Sequence, residues 1–282
     1  MSRRVRTLLT SGIGELRHEP LTRRIRGAVG DDVVVDSTRA VLVWEPRRVV
    51  PQYAVPAADV GADLRTGDAA PPAADDVGLR LPDVSARPIL DPSIPFAVHT
   101  GEGEGVDVVT GARTLTGAGF RLADPDLEGY VMLDFDAFDS WYEEDVPTVG
   151  HPHDPYHRID ALPSSRSVRL ELDGEVLAES SRPVLLFESM LPMRFYLPPD
   201  DVRAELVPSR TRTTCAYKGH AGYWSPVVAG TPVPDLAWSY ADPLHDAAAV
   251  RGLVAFFDER VDVVLDGERR ERPVTPWSPP PT

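Results

Sequence analysis

The chain has 282 residues and a formal net charge of -15 at pH 7. This acidity argues against a general nucleic-acid binder, which needs basic surface to displace counterions from phosphates. Apolar runs stay well short of the roughly 20 residues that span a bilayer, and a single cysteine excludes an internal disulfide. We therefore expect a cytoplasmic protein that binds neither nucleic acid nor a membrane.

Three segments of the chain lack the patterns of regular structure. Residues 1–23 are interpreted as a basic, partly disordered N-terminal arm because they carry Arg3, Arg4, Arg6, Arg17 and Arg23. Residues 65–95 are rich in Ala, Asp and Pro, which predicts a long irregular insertion. Residues 273–282 are rich in proline, and we expect this tail to be extended and poorly ordered.

An internal repeat organises the remainder of the chain. Residues 25–45 align without a gap on residues 168–188. Identical pairs in this block are Arg26/Arg169, Val33/Val176, Ser37/Ser180, Arg39/Arg182, Val41/Val184, Leu42/Leu185 and Glu45/Glu188. Shorter matches pair 55–60 with 197–202 and 122–125 with 240–243. We predict a tandem duplication, with a first copy at 24–140, a linker at 141–165 and a second copy at 166–272.

The strand signals are clearest in the second copy. Residues 168–172 alternate between apolar and polar side chains, the period of a half-buried strand. Asp173-Gly174 then suits a tight hairpin turn. The best helix candidate is 246–250, with Asp246 as its cap. Further strands are predicted at 183–187, 252–257 and 261–265. These patterns predict a mainly β fold with short helices.

The second copy also contains the only cysteine of the chain, Cys215, and its only lysine, Lys218. Since arginine is used elsewhere for a plain positive charge, a lone ammonium points to a compact charge or to an amine that can lose its proton. The aligned segment of the first copy has Phe96 and His99 at these positions. Further differences are Tyr217, Tyr223 and Trp224, which are replaced there by Val98, Glu104 and Gly105. We therefore expect any functional site in the second copy.

Several motifs follow one another in the second copy. They are Arg182-Pro-Val-Leu-Leu-Phe-Glu188, Tyr196-Leu-Pro198, Cys215-Ala-Tyr-Lys-Gly219, Tyr223-Trp224, Ala237-Trp-Ser-Tyr-Ala-Asp-Pro243 and Phe256-Phe-Asp-Glu-Arg-Val-Asp262. With these motifs, residues 168–272 resemble domain-of-unknown-function family 427, a bacterial and fungal family in which some members are labelled nucleotidyltransferase. The resemblance implies a β-tent-type fold, in which two small antiparallel sheets lean together over a pocket. The four-cysteine zinc clip of other families with that fold is absent here, because the chain has one cysteine.

Lys218 is the leading site candidate. It could hold an anionic group of a ligand or, if desolvated, act as a nucleophilic amine. The alternative is a lysine that pairs with a carboxylate such as Glu188. Cys215 could be a nucleophile with His220 as its base, although most lone cysteines are small buried apolar residues. The candidate catalytic residues are thus Lys218, Cys215 and His220.

Aromatic side chains with polar tips suit the walls of a small-molecule pocket, although a small two-sheet core also needs large side chains. Tyr223 and Trp224 are the expected walls because the first copy lacks them. The candidate ligand-binding residues are Arg182, Glu188, Tyr196, Tyr217, Lys218, Gly219, Tyr223, Trp224, Trp238 and Tyr240.

Two other groups have the residue types of a site. His151, His153 and His157 have a spacing that could offer metal ligands, but their prolines favour an exposed linker, and we expect no metal. Asp134 and Asp136 could be the paired carboxylates of a nucleotidyltransferase. That reaction also needs a glycine-rich turn that places the triphosphate on a helix, and none precedes them.

The favoured function is the binding of a small molecule or anion by Lys218 and the aromatic residues of the second copy, without a cofactor. The first copy would then be a degenerate scaffold. Whether Lys218 also catalyses a reaction stays open. The alternatives are a non-catalytic module that binds a protein or peptide, and a nucleotidyltransferase-like enzyme. The sequence leaves the ligand and the oligomeric state open.

Overall fold

The computed structural model describes residues 2, 4–67, 73, 74, 76–81, 84–275, 277 and 278. The chain divides into two compact units, residues 1–154 and residues 155–282. This division falls inside the segment 141–165 that was predicted to link the two copies, and strands lie on both sides of it. Among the described residues, no helix is both long and apolar enough to cross a membrane.

The described part of the first unit contains a short helix, three 3-10 turns and two antiparallel sheets. The helix is α1 (Val5–Thr10), and the 3-10 turns are Ala57–Asp59, Pro125–Leu127 and Phe135–Ala137. The strands are β1 (Arg17–Pro20), β2 (Ile25–Val29), β3 (Asp32–Ser37), β4 (Val41–Trp44), β5 (Gln52–Pro56), β6 (Asp63–Thr66), β7 (Gly103–Val109), β8 (Thr114–Leu122), β9 (Tyr130–Leu133), β10 (Ser140–Glu143) and β11 (Val146–Thr148). One sheet has the order β1-β4-β5-β9-β8-β7-β6, and the other has the order β11-β10-β2-β3.

The second unit is built in the same way from strands and two described 3-10 turns, Pro199–Asp201 and His245–Val250. The strands are β12 (Ile159–Pro163), β13 (Val168–Leu172), β14 (Glu175–Ser180), β15 (Val184–Glu188), β16 (Arg194–Leu197), β17 (Leu206–Cys215), β18 (Gly219–Val228), β19 (Thr231–Pro232), β20 (Ala237–Ser239), β21 (Val254–Phe256), β22 (Asp262–Leu265) and β23 (Glu268–Arg269). The larger sheet has the order β12-β15-β16-β21-β20-β18-β17, with β19 attached to β18, and the smaller has the order β14-β13-β22-β23. The prediction of a mainly β protein with antiparallel sheets is confirmed.

The two units share their strand order. When β19 is left out and the other strands of each larger sheet are numbered along the chain, both sheets read 1-2-3-7-6-5-4 from one edge to the other. The smaller sheets also correspond strand for strand, from β3-β2-β10-β11 to β14-β13-β22-β23. Shared connectivity of this kind is what the predicted duplication would produce.

A side-chain motif recurs at the same place in both units. In the first, Ser37 donates to Asp59, and the Arg39 guanidinium also pairs with that carboxylate. In the second, the Ser180 hydroxyl donates to Asp201 at 2.7 Å, and Arg182 pairs with Asp201 at 3.1 Å. Each motif joins the end of a strand of the smaller sheet to the 3-10 turn that follows the third strand of the larger sheet. Arg182 therefore has a scaffold contact that is common to both units.

Some of the predicted turns, helices and irregular segments are present in the structure, and others are not. Asp173 and Gly174 have φ angles of 53° and 84°, so the predicted hairpin turn between β13 and β14 is present. The predicted helix over 246–250 is instead a 3-10 turn that begins at His245, and Asp246 lies in its first turn rather than capping it. Within the predicted basic arm, Arg17–Pro20 forms β1 because its backbone pairs with β4. Part of the predicted insertion over 65–95 lies outside the described residues.

The larger sheet of the second unit has an apolar cluster on each face. Successive side chains of a strand point to opposite faces, so Phe195 and Leu197 pack in a core with residues of the smaller sheet, while Tyr196 points the other way. We call the side with Tyr196 the outer face. It also carries Trp238, Tyr240, Val184, Leu186, Ala221 and Ala255, and it is covered by Ala247 and Val250 of the 3-10 turn.

Candidate functional site

Lys218 lies in the short turn between β17 and β18, and its side chain is buried, with 10% of its surface exposed. The Nζ atom donates a hydrogen bond of 2.5 Å to Oε2 of Glu188, which ends β15. In the larger sheet, β15 and β18 are separated by β16, β21 and β20. The ion pair therefore connects two strands that are not neighbours.

A second basic side chain contacts the same carboxylate. Nε2 of His157 lies 3.1 Å from Oε1 of Glu188, and the imidazole ring stacks on Tyr217 with centroids 4.2 Å apart. Burial opposes the ionisation of Glu188, but the hydrogen bond from His157 and the charge of Lys218 outweigh it and lower the pKa of Glu188 to about 2. Glu188, Lys218, His157 and Tyr217 form what we call the Glu188 cluster.

The ammonium of Lys218 has unused hydrogen-bonding capacity. It carries three N–H donors, and Glu188 is its one acceptor among the residues that the structure describes. A buried donor without an acceptor costs about 1–3 kcal/mol. The remaining donors of Lys218 therefore favour an added acceptor, from water or from a ligand.

Tyr240 presents a second unused donor. Most of its side chain is buried on the outer face, with 5% of the residue exposed, and no described residue forms a hydrogen bond with its hydroxyl. The hydroxyl oxygen is not fully buried and therefore reaches solvent. Burial raises the pKa of Tyr240 far above its usual value, and Tyr196, Cys215 and Glu188 raise it further. Tyr240 thus stays protonated and can donate a hydrogen bond to an acceptor.

Tyr196 and Cys215 lie within electrostatic range of Tyr240, and Tyr196 is also within range of Glu188. The hydroxyl of Tyr196 accepts a hydrogen bond of 3.1 Å from Nε1 of Trp238, and the two rings meet edge to face. Burial raises the pKa of Tyr196, and Glu188 and Cys215 also act in that direction. The structure therefore brings together five sequence-predicted site residues, which are Glu188, Lys218, Tyr196, Tyr240 and Cys215.

His220 is not brought to Cys215. In the β17–β18 hairpin, Cys215 is paired with Gly219, whereas Thr214 is paired with His220 and contacts its ring at 3.0 Å. Because neighbouring residues of a strand point to opposite faces, His220 lies on the other side of the hairpin from Cys215 and is exposed. The geometry gives Cys215 no histidine base at this position.

Tyr223 and Trp224 are also separated by strand alternation. Tyr223 packs on the outer face, where its hydroxyl lies 3.1 Å from Thr213. Trp224 packs against the core on the opposite face, and its Nε1 donates to Ser239 at 3.0 Å. The two residues that were expected to form one wall thus line different faces of the sheet.

Gly219 has a conformational role. Its φ angle is +88°, a left-handed conformation that side chains disfavour, and an added Cβ would lie 3.4 Å from Leu244. The backbone N–H of Leu244 donates to the carbonyl of Lys218 at 3.1 Å. Gly219 and Leu244 therefore fix the turn that carries Lys218.

The first unit has a counterpart of the Glu188 cluster. Glu45 aligns with Glu188, and it accepts from Nδ1 of His99 at 3.0 Å and from the backbone N–H groups of Thr100 and Gly101. His99 aligns with Lys218, and its ring stacks on Phe120 at 3.8 Å. The polar chemistry is thus present in both units, with an imidazole in one and an ammonium in the other. The aligned pairs Glu45/Glu188 and His99/Lys218 were the sequence signal for this shared bridge.

The predicted histidine group is distributed among separate partners. His151 is buried and Nδ1 contacts the carbonyl of Pro152 at 2.8 Å, so it is not the exposed linker residue that was expected. His153 contacts Glu143 at 3.1 Å, and His157 contacts Glu188. Within the described ranges, no group of three or more His, Cys, Asp or Glu side chains is placed to hold a metal ion.

The carboxylates of Asp134 and Asp136 are also accounted for by local structure. Asp134 accepts a hydrogen bond of 3.0 Å from the backbone N–H of Asp136 and caps the 3-10 turn that follows β9. Burial raises the pKa of both carboxyl groups. Two shallow concavities lie elsewhere in the first unit, one lined by residues 60–63 and 109–111 and the other by residues 121–125 and 127–130. Neither contains a predicted site residue.

The fold and the site define a mainly β protein whose units each bridge two distant strands of a sheet by a buried acid and a base. Residues 160–267, within the second unit, match the family model described as domain of unknown function (DUF427). The second unit therefore carries a DUF427 domain, and the resemblance read from its motifs is confirmed there. A search of curated proteins found no match.

Proposed function

We propose that the second unit binds a small molecule through oxygen acceptors that reach the ammonium of Lys218 and the hydroxyl of Tyr240. The observation that carries this proposal is a buried ammonium with one acceptor, Lys218, together with a solvent-reaching Tyr240 hydroxyl that lies within electrostatic range of the same carboxylate, Glu188. A ligand with a carboxylate or two carbonyl oxygens would satisfy both donors at once. The rings of Tyr196 and Trp238 are buried in the same cluster as Tyr240 and hold its side chain in position.

The charges of the Glu188 cluster limit the ligand class. Glu188 is ionised and balances the charge of Lys218, so the cluster has little net attraction for a highly charged anion. Recognition would rest on directed hydrogen bonds rather than on long-range steering. Small monocarboxylates and neutral carbonyl compounds therefore suit the site better than triphosphates do.

Binding is favoured over covalent catalysis by the same geometry. A nucleophilic amine needs a free lone pair and access to its electrophile, whereas the side chain of Lys218 is buried and its Nζ donates a hydrogen bond of 2.5 Å to Glu188. Cys215 has no histidine base from His220, because the hairpin register separates them. We therefore propose a binding site in which Lys218 and Tyr240 orient the ligand.

The test is a thermal-shift screen of small carboxylates and their amides, followed by calorimetry on the hits. We expect Tyr240→Phe and Lys218→Met each to weaken binding at least tenfold, and Lys218→Arg to weaken it because a planar guanidinium does not reproduce the shape of the ammonium. Tyr223→Phe is the matched control, since its hydroxyl is on the same face and contacts Thr213. Equal affinity in wild type and Tyr240→Phe would overturn the proposal. A separate arm uses ATP with Mg²⁺, and a response confined to that arm would favour nucleotidyl transfer instead.

A further inference from the structure

A second buried charge cluster lies beside the outer face of the second unit. Arg194 is 7% exposed and forms two hydrogen bonds with Glu259, of 2.8 Å and 2.6 Å. Asp258 is 5% exposed, and its Oδ2 lies 3.8 Å from Nη1 of Arg194. One guanidinium thus faces two buried carboxylates, so full ionisation leaves an uncompensated negative charge.

This cluster holds residues near the C-terminus. The hydroxyl of Thr275 donates a hydrogen bond of 2.5 Å to Oε1 of Glu259, and Thr275 is 6% exposed. The Arg194 guanidinium lies 5.5 Å from the ring of Trp277 and 5.8 Å from that of Trp238. The hydroxyl of Thr275 also accepts from the backbone N–H of Trp277, and the backbone N–H of Thr275 donates to the hydroxyl of Ser278. We call Thr275, Trp277 and Ser278 the C-terminal anchor.

Asp258 is the member of the cluster whose charge is least supported. In the described part of the chain, no side chain donates a hydrogen bond to it, since Arg194 is 3.8 Å away. Burial raises the pKa of Asp258 to about 7, Arg194 lowers it, and Glu259 raises it. The charged groups that face Asp258 are therefore Arg194 from β16 and Glu259 from its own loop, and Tyr196 faces Arg194.

We infer that proton binding to Asp258 controls the docking of the C-terminal anchor on the second unit. When Asp258 is neutral, Arg194 pairs with Glu259 alone, and Glu259 stays in place to accept the hydrogen bond from Thr275. When Asp258 ionises, it competes for Nη1 of Arg194. A charge-assisted hydrogen bond of about 2.8 Å requires the guanidinium to move by about 1 Å toward Asp258.

That movement weakens two of the contacts that hold the anchor, while the ring contact of Trp277 with Phe257 does not depend on Arg194. The movement draws Arg194 away from Glu259, and it displaces the cation from its position over Trp277, where cation–π attraction depends on the distance to the ring. Repulsion between Asp258 and Glu259 adds to the effect because both carboxylates are buried. The anchor is therefore docked at mildly acid pH and released at mildly alkaline pH. This inference is independent of the proposed ligand site.

The test is hydrogen exchange of the segment with Thr275, Trp277 and Ser278 in the full chain, between pH 6 and pH 8, after correction for intrinsic exchange. We expect protection in the wild type to fall at least tenfold over this range, and Asp258→Asn to stay protected throughout. Asp262→Asn is the matched control, because this carboxylate begins the next strand, β22, and pairs with Arg269 and Arg272 instead. It should follow the wild type.

A second variant keeps the inference testable if Asp258→Asn does not fold. Thr275→Val removes the hydroxyl that donates to Glu259, so it should expose the segment at pH 6 as far as the wild type is exposed at pH 8. Constant protection of the wild type from pH 6 to pH 8 would overturn the inference. So would an equal loss of protection in a folded Asp258→Asn variant.

Discussion

The substitution Glu188→Gln tests the charge balance of the Glu188 cluster. The pKa of Glu188 is lowered from 4.5 to about 2, and its side chain is 7% exposed. A lowering of this size corresponds to about 3 kcal/mol of stability. Because the folded-state pKa is the lower one, this stability is fully present above pH 4.5 and is lost as the pH falls through about 2. Glutamine cannot be ionised, so the variant should lack it at every pH.

The assay is urea unfolding of both proteins at pH 7, 4 and 2.5, with hydrogen exchange of β15 and β18 to report on the second unit. We expect the variant to be less stable by about 3 kcal/mol at pH 7, and the difference to shrink below about 1 kcal/mol at pH 2.5. Asp160→Asn, a partly exposed carboxylate opposite Phe187, should change stability by less than about 0.5 kcal/mol. A difference that is the same at pH 7 and pH 2.5 would refute the reasoning.

Three further substitutions have defined outcomes. Tyr240→Phe should leave the free energy of unfolding nearly unchanged, because no described residue forms a hydrogen bond with the hydroxyl that it removes; urea unfolding measures this. Asp258→Asn should stabilise the second unit at pH 8 by up to about 4 kcal/mol and have little effect near pH 4, since the folded-state pKa is raised from 3.8 to about 7 and ionisation costs stability as the pH rises; unfolding at the two pH values distinguishes these. Gly219→Ala should cost about 1–3 kcal/mol because φ is +88°, and a thermal melt that matches wild type would contradict this assignment.

Local patterns in the sequence were sufficient for the fold class. Alternation over residues 168–172 predicted β13, and the Asp173-Gly174 pair predicted the turn that follows, because both signals depend on neighbouring residues alone. The 3-10 turn at His245–Val250 was mistaken for a helix because a short run of alanines favours both. Which strands lie side by side depends on long-range pairing, and the sequence motifs did not contain that information.

The site was predictable only in part, for the same reason. Lys218 and Glu188 were considered as a pair, but His157 as the second partner of Glu188 depends on a fold that joins residues far apart in the chain. The separation of Tyr223 from Trp224 follows from strand alternation in β18, a strand that the sequence analysis did not predict. The unused donors of Lys218 and Tyr240 could not be predicted from the sequence, since the number of acceptors around a donor is a property of the packed structure.

The link between β15 and β18 spans three intervening strands in the larger sheet of the second unit. An ion pair between two such distant strands resists flattening of the sheet, because a flatter sheet would separate Lys218 from Glu188. An acceptor that drew Lys218 away from Glu188 would loosen this tie while every backbone ladder stayed intact. The edge of the sheet formed by β17 and β18 would stay paired with β20 but could bend further from β15, so ligand binding would change the curvature of the sheet.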